Sequence, residues 1–304
     1  MSTEDSEITR VEVDTLVILQ IMKHCRQHAP QTVAGLLLGL DVHSTLQVTH
    51  CFGYMQKGGE DYDSSADDGQ QYQLEMLKKL REVNVDSNTV GWYQTTQLGQ
   101  LYSEKVIETQ YQYQIMIPRS VLLVYDPLQS AIGKCAFKAI QLSPQFMRKF
   151  EAQEANRSVL NDFTSGEMFV EIPIVLTSPL ISDAFLLDWA LADPVATTSQ
   201  IDVLDVENQA LSEKNVQLLI NSLQELADEQ RKIQDYERQT MRGEKGEKGK
   251  GKGRYVQQPR HLDTMILSKQ IHNYCKQINN VAADTFGKTY LLSNKPSSAR
   301  GSMF

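Results

Sequence analysis

The chain has 304 residues, of which 41% are apolar and 22% are charged, and its formal net charge at pH 7 is −8. A chain of this length can bury a sizeable core, so we expect one or two domains with extensions. The net negative charge excludes a uniformly basic nucleic-acid-binding protein. The chain has no run of roughly 18 apolar residues such as a membrane helix requires, and its acidic start, MSTEDSEITR, is unlike a signal peptide. These features predict a protein of the cytosol or nucleus.

Hydrophobic patterning over residues 9–145 predicts an α/β domain, preceded by a disordered N-terminus at 1–8. Short apolar runs bounded by turn-forming residues indicate strands, and apolar residues spaced by three and four indicate helices. The predicted elements are, in chain order, a helix at 11–28, strands at 32–40 and 46–54, a mobile loop at 57–71, a helix at 72–84, a strand ending at VGWY (90–93), a short helix near 103–110, and strands at 113–118, 121–127 and 134–142.

From residue 143 onward the pattern becomes mostly helical, and the segment EIPIVLTS (171–178) is its one interruption. We expect a helical extension over 146–204, one long helix at 205–241 and a C-terminal docking helix at 261–290. Between these helices, residues 242–260 are rich in glycine and lysine, which predicts a flexible linker. Residues 291–304 are predicted to be a disordered tail.

The two C-terminal helices each carry an apolar stripe, which is typical of helices that dock on a partner. The pattern leaves open whether the partner is the chain's own domain or another protein. The candidate docking residues are Leu219, Leu223, Leu226, Ile271, Tyr274, Ile278 and Val281. For the basic linker, a solvated tether is favoured over a weak RNA contact, because no aromatic residues are interleaved for base stacking.

The cysteines and histidines do not form a metal site by spacing. Four widely scattered cysteines (Cys25, Cys51, Cys135 and Cys275) lack a C-x-x-C motif, so we expect reduced, mostly buried thiols. His24 and His28 have the i, i+4 spacing that can hold zinc, but no glutamate lies between them and no third ligand is evident. Two surface histidines at the negatively polarised end of a helix are the better interpretation.

The stretch VGWYQTTQLGQLYSEKV (90–106) runs from an apolar strand into a polar loop, which is how α/β enzymes present catalytic residues. This loop contains no histidine, cysteine or aspartate, and no G-x-S-x-G or phosphate-binding motif occurs in the chain. In order, the helix, the GLLLG strand, a long loop, a second helix, GWY and VYDP resemble the MPN (Mov34 and Pad1 N-terminal) domain family over residues 9–145. The resemblance implies a mixed β-sheet flanked by helices, similar to the cytidine-deaminase fold, with long C-terminal helices following it.

Active members of this family are zinc isopeptidases that remove ubiquitin-like proteins. They carry a glutamate before the GLLLG strand, then H-S/T-H-P after GWY, then S-x-x-D. In this chain Thr32 stands at the position of the glutamate, which acts as general base. Gln94 and Thr96 stand at the positions of the two histidine ligands, and Gln97 replaces the proline.

The end of the motif is also changed. Ser103 matches the motif serine if the preceding interval is one residue shorter than in the family, and Val106 then stands at the position of the aspartate ligand. Without this gap, the same two positions are Glu104 and Ile107. In both alignments the strong zinc ligands and the general base are missing, so the resemblance implies no enzyme activity, no metal and no cofactor.

Inactive MPN domains of this kind are similar to scaffold proteins of the proteasome lid, the COP9 signalosome and translation initiation factor 3. GWYQTT, EIPIVLTSPLI (171–181) and the segment DTMILSKQIHNYCKQINNVAADTFGK (263–288) most resemble the family of H subunits of eukaryotic translation initiation factor 3. That resemblance implies a cytoplasmic scaffold whose MPN domain pairs with the MPN domain of the F subunit. It also implies that the C-terminal helices join a helical bundle and that the complex contacts the small ribosomal subunit. The alternatives are a lid or signalosome scaffold and, less favoured, a zinc isopeptidase with unusual ligands.

Overall fold

A computed structural model describes residues 8–54, 66–131, 136–155, 165–192, 209–245 and 261–293. The chain divides into two compact units, residues 1–201 and 202–304. The strands of the first unit are β1 (Arg10–Asp14), β2 (Ala34–Val42), β3 (Thr45–Gly53), β4 (Thr89–Thr95), β5 (Val121–Tyr125), β6 (Phe137–Leu142), β7 (Phe169–Ile172) and β8 (Ile174–Thr177). Its helices are α1 (Thr15–His28), α2 (Ala66–Glu82), α3 (Glu104–Met116), α4 (Pro127–Ala131), α5 (Pro144–Ala155) and α6 (Leu180–Ala192).

All eight strands form one mixed sheet in the order β7-β6-β5-β4-β2-β3-β1-β8. The two edge strands, β7 and β8, are consecutive in the chain and only Pro173 separates them. The sheet must therefore curl until its two edges meet at this residue. Proline suits the corner because it has no N–H to contribute to a strand ladder. The Pro173 carbonyl still takes part in the sheet, since it accepts a hydrogen bond from the Val11 N–H at 2.9 Å.

The core lies on both faces of this sheet. One face packs with α1 in a large buried cluster that includes Val17, Ile21 and Leu37. The opposite face carries Leu36 and Leu38, against which residues of α2 and α3 pack. Leu36, Leu37 and Leu38 thus alternate between two apolar environments, which explains why the GLLLG strand is a continuous apolar run rather than an alternating one.

The sheet extends beyond the predicted domain end at residue 145. The region predicted as a helical extension, 146–204, begins in α5 as expected, but it then supplies β7 and β8, which complete the sheet. The strand predicted at 171–178 is present as two short strands around Pro173. Residues 193–204 of the extension lie outside the described residues.

Two local predictions in the first unit are wrong, and the predicted loop at 57–71 is wrong over its last residues, because α2 already begins at Ala66. Residues 11–14, predicted to begin a helix, form β1, and Asp14 is the N-cap of α1, because its side chain accepts a hydrogen bond from the Leu16 N–H at 2.9 Å. Residues 113–118 are not the predicted strand, since α3 continues to Met116. Gln110 and Gln114 lie on the buried side of α3, so polar residues interrupt the apolar helical pattern there.

Those buried glutamines are held by a complete set of hydrogen bonds. Gln110 Oε1 accepts from Trp92 Nε1 at 2.8 Å, and its Nε2 donates to Gln114 Oε1 at 3.1 Å and to the Ser120 carbonyl at 3.0 Å. Gln114 in turn exchanges two hydrogen bonds with the backbone of Leu142. This network fixes α3 to β4, β5 and β6, because buried amide groups are stable only when they are paired.

The second unit contains two long helices, α7 (Gln209–Lys245) and α8 (His261–Ser293), which pack against each other. Lys232, in the second half of α7, interacts electrostatically with Asp263 in the first turn of α8, so these parts of the two helices are near each other. Both helices run further than predicted: α7 ends at Lys245 instead of 241, and α8 ends at Ser293 instead of 290. Most of the predicted linker (246–260), the N-terminal segment to residue 7 and most of the tail (294–304) lie outside the described residues.

Within the described parts of the chain, no helix is both long and apolar enough to cross a membrane.

Candidate functional site

The ends of β2 and β4 bring three of the motif positions together. Ala34 is paired with Gln94 in the antiparallel ladder, and the Thr95 N–H donates to the Val33 carbonyl at 2.8 Å. Continuing this register places Thr32 opposite Thr96 at the same end of the sheet. Thr32, Gln94 and Thr96, the positions predicted for the base and two ligands, therefore lie at the same end of neighbouring strands.

The polar side chains in this frame bind backbone. Thr95 Oγ1 accepts a hydrogen bond from the Val33 N–H at 2.7 Å and lies 3.3 Å from the Val33 carbonyl, to which it can donate. Gln97 Nε2 donates to the carbonyl of Pro30. These two polar side chains of GWYQTTQ therefore satisfy loop backbone rather than point to a ligand site. Thr95 was not singled out from the sequence, because an isolated threonine carries no signal for this role.

Thr96 differs from its neighbour. Its N–H donates to the Tyr125 carbonyl at 2.8 Å, but its side chain is only 3% exposed and its Oγ1 has no hydrogen-bond partner among the described residues. A buried hydroxyl without a partner destabilises the fold. The Thr96 hydroxyl therefore contributes no identified contact at the place where the family's second histidine would bind zinc.

The position of the metal-binding aspartate has become part of the core. Val106 is 5% exposed, and Ile107, which is the alternative in the ungapped alignment, is fully buried. Ser103 caps the N-terminus of α3, and its Oγ accepts from the Val106 N–H at 3.4 Å. Whichever alignment holds, a buried aliphatic side chain occupies the aspartate position, and Ser103 acts as a helix cap.

A buried carboxylate that the sequence did not reveal organises the loop. Asp126 follows β5, and its Oδ1 accepts from the N–H groups of Leu128 at 3.1 Å and Gln129 at 3.4 Å. The N–H groups of Leu98 and Gly99 also favour its charged form, but burial is the larger effect and raises the pKa of Asp126 above the usual range. The only hint in the sequence is an aspartate followed by proline at a strand end.

The geometry of Leu98 and Gly99 explains how they reach this carboxylate. Both have a left-handed backbone, with φ of 54° and 74°. Consecutive N–H groups in such a turn form a concave site that binds anions. Here the anion is the chain's own Asp126, whose charged form both N–H groups favour. Asp126 Oδ2 is nevertheless buried without a hydrogen-bond partner among the described residues. The left-handed conformation is unfavourable for Leu98 by about 1 kcal/mol.

The two histidines of α1 differ in environment. His28 is exposed and its Nδ1 lies 3.0 Å from the His24 carbonyl, as expected for a histidine at a helix C-terminus. His24 is half-buried, and its Nδ1 lies 2.8 Å from the hydroxyl of the fully buried Tyr93. The prediction that both are surface histidines is therefore wrong for His24. Burial, followed by the effect of His28, lowers the pKa of His24.

The cysteine prediction is confirmed in part. Cys25 is buried and Cys51 is partly buried, and burial raises the pKa of Cys51 to about 12, so that it is an unreactive thiol. Cys275 is exposed on α8, contrary to the expectation of a buried position. Cys135 lies outside the described residues.

The candidate docking residues occupy different environments. Leu219, Leu226, Ile271, Ile278 and Val281 are half-buried, and Leu223 is 47% exposed. Tyr274 is only 1% exposed, so it is covered by the chain itself and its side chain is not open to another protein in this conformation.

Comparison with known proteins identifies both parts of the chain. Residues 6–119 match the family model described as JAB1/Mov34/MPN/PAD-1 ubiquitin protease, and residues 130–257 match the C-terminal region of eIF3h. The H subunit of eukaryotic translation initiation factor 3 from Arabidopsis thaliana is 34% identical over 92% of this chain and 91% of its own length. The chain belongs to the eIF3h family. The H subunits of Dictyostelium discoideum and Salmo salar are also similar, at 34% and 30% identity, each over 95% of this chain and over 95% and 91% of their own lengths.

The residues present in this member of the eIF3h family do not fit the zinc ion of the active MPN enzymes. The matched positions carry hydroxyl, amide and aliphatic groups, which are weak ligands or none for Zn²⁺. In the described part of the chain, no group of three histidine, cysteine, aspartate or glutamate side chains is placed to hold a metal. No step of zinc chemistry can be derived for this site.

Proposed function

We propose that this chain is a non-catalytic scaffold of the eukaryotic translation initiation factor 3 complex in the cytoplasm. In this role it supports recruitment of mRNA and initiator tRNA to the small ribosomal subunit. The names of its relatives over more than nine-tenths of the chain support membership of that complex.

The proposal that the chain is non-catalytic rests on the burial of the residue at the aspartate position of the motif. Val106 and Ile107 are both core residues at the start of α3. A carboxylate introduced there would have to be buried, so restoring a zinc site would oppose the fold. The loop that presents the other positions is fixed by Thr95, Gln97 and Asp126, whose polar groups contact the chain's own backbone.

The pairing of this MPN domain with that of the F subunit, and the joining of α7 and α8 to a shared helical bundle, are also part of the proposal. Support comes from the apolar residues that α8 leaves exposed near its end. Phe286, Tyr290 and Leu291 are each more than 60% exposed, and Leu292 is exposed as well. Such a cluster at the end of a long helix is typical of a surface that other helices cover.

Truncation after Met241 tests the scaffold role. Removal of α8 should weaken co-purification with the other initiation factor 3 proteins, while the sheet domain still unfolds cooperatively by circular dichroism. A chain that lacks only residues 294–304 is the matched control and should assemble normally. Undiminished assembly of the chain cut after Met241 would contradict a role for α8 in the bundle.

Identification of the co-purifying chains from the same experiment separates the three assemblies. Recovery of proteasome-lid or signalosome proteins in place of those of initiation factor 3 would contradict the proposal. Elemental analysis of the purified protein tests the enzyme alternative, because stoichiometric zinc lost on replacement of Gln94 and Thr96 would show that the site binds metal.

A further inference from the structure

Helix α6 is apolar on nearly every side and yet exposed. Leu180 and Ile181 are 87% and 86% exposed, and Phe185, Leu187, Trp189 and Leu191 are each more than 60% exposed. Beyond isolated contacts, α6 packs against none of the other described helices and strands. A helix that is hydrophobic all round is normally buried, and a helix of this length is marginal in water without packing. Some other element must therefore cover it.

The spacing of the apolar residues along α6 indicates which face another helix would pack against. Leu180, Ala184, Leu187 and Leu191 follow intervals of four, three and four residues, which is the a/d pattern of packed helices. We call these four residues the α6 seam. Ile181, Phe185 and Trp189 form a second stripe on the other side of the helix.

The charges beside the α6 seam indicate the chemistry of the partner. Asp183 and Asp188 are the helix's two ionisable side chains, and they take the g and e positions on either side of the seam. Both are exposed, and neither forms an ion pair with a cation of the described residues. Residues at e and g determine which helix pairs with which, so a lysine or arginine on the partner would complement each carboxylate.

The same charges argue against two other occupants. In a second copy of this chain the seam would bring aspartates together, and like charges beside a seam are unfavourable. A membrane surface is disfavoured because interfacial helices carry lysine and arginine on their polar face, and α6 has neither.

We propose that the α6 seam docks an amphipathic helix of another protein, whose apolar stripe is flanked by lysine or arginine. This surface is distinct from the exposed end of α8 and does not depend on which assembly holds the chain.

A pair of synthetic helical peptides tests the proposal with the full-length chain. Both peptides have leucine at a and d; one has lysine at e and g, and the other has glutamate. Fluorescence anisotropy at low ionic strength should show that the lysine peptide binds about tenfold more tightly, given two charge pairs that change sign. The double variant Asp183→Lys with Asp188→Lys should invert this preference.

Control variants on the same helix distinguish binding at the α6 seam from nonspecific hydrophobic binding. Leu187→Glu should abolish binding of the lysine peptide, whereas Trp189→Ser, on the other stripe, should leave it within about twofold. Circular dichroism must show that all variants keep the wild-type fold. Equal affinity for the two peptides, or a double variant without inverted preference, would overturn the charge assignment.

Three further outcomes would each overturn the proposal by identifying another occupant. Concentration-dependent dimers that disappear in Leu187→Glu would indicate a second copy. Binding of phosphatidylcholine vesicles that is lost in this variant would indicate a membrane. If neither peptide binds and Leu187→Glu lowers the melting temperature, the chain itself covers the seam.

Discussion

The loop after β4 and the helix α6 are opposite cases in one domain. In the loop, Thr95, Gln97 and the amides facing Asp126 find their partners within the chain. In α6, six large apolar side chains are each more than 60% exposed in the described structure. The polar groups of the loop are thus bonded within the chain, whereas α6 presents an exposed apolar surface.

A fold can survive the loss of an active site only if the polar groups left behind are accommodated. Polar loop groups that once faced a metal must be paired or removed, since unpaired buried polar groups are costly. Here the ligand and base positions became hydroxyl, amide and aliphatic groups, and an internal carboxylate holds the loop. Thr96 is the exception in the described loop, because its hydroxyl is buried and unpaired.

Of the changes at the motif positions, a carboxylate at Val106 is expected to reduce the stability of the protein most. Val106→Asp should destabilise the protein by about 4 kcal/mol, because a carboxylate would be buried without a partner. Val83→Asp, at an exposed valine near the end of α2, should change the free energy of unfolding by less than about 0.5 kcal/mol. Urea unfolding of both variants measures the difference. A fully stable Val106→Asp protein, especially one that binds zinc, would show that the site is not closed.

Loss of the hydrogen bonds made by Gln110 of α3 is expected to have the next largest effect on stability. Gln110→Leu should cost about 3 kcal/mol, since it leaves Trp92 Nε1 and the Ser120 carbonyl without partners. Gln112→Leu, at an exposed position on the same helix, is the matched control and should be nearly neutral. Similar losses in the two variants, measured by thermal unfolding, would mean that the glutamine network does not hold α3 in place.

Thr95 and Thr96 are adjacent, but among the described residues only the Thr95 hydroxyl has a hydrogen-bond partner. Thr95→Val should destabilise by about 2 kcal/mol, because the Val33 N–H loses its acceptor. Thr96→Val should be neutral or stabilise by about 1 kcal/mol, because it removes a buried hydroxyl that has no partner among the described residues. Denaturant unfolding of the pair gives the sign directly. A clear loss of stability in Thr96→Val would show that its hydroxyl has a partner after all.

The smallest predicted effect is on the pH dependence of stability. Burial and His28 lower the pKa of His24, so the unfolded chain binds a proton more readily than the folded one. Stability from this group is present above the unfolded pKa of about 6.5 and is lost as the pH falls from there through the folded pKa. His24→Gln should therefore lose less stability than the parent between pH 7 and pH 5, while His272→Gln, exposed on α8, should follow the parent. Parallel melting-temperature profiles for all three proteins would contradict this assignment.

The sequence predicted the domain type and the two long helices, because apolar periodicity and the GLLLG and GWY segments are local signals. It failed where partners are distant in the chain. Gln110 and Gln114 masked the continuation of α3, because their polar side chains are buried and satisfied by β4, β5 and β6. The roles of Asp126 and Thr95 and the His24–Tyr93 contact depend on segments distant in the chain that only the fold brings together. The strands around Pro173 seemed separate from the domain because nothing local shows that they close a sheet.

The junction at Pro173 also sets the order of events during synthesis. β1 is among the first segments made, but Val11 is paired with Ile174 and cannot acquire that neighbour until the chain has grown past Thr177. Until then one side of β1 is unpaired, and long-range pairing of this kind is slow and exposed to misassembly. The segment that leaves the ribosome next is α6. The last strand of the sheet and the apolar helix are therefore made almost together, so α6 is exposed from the moment the domain can fold.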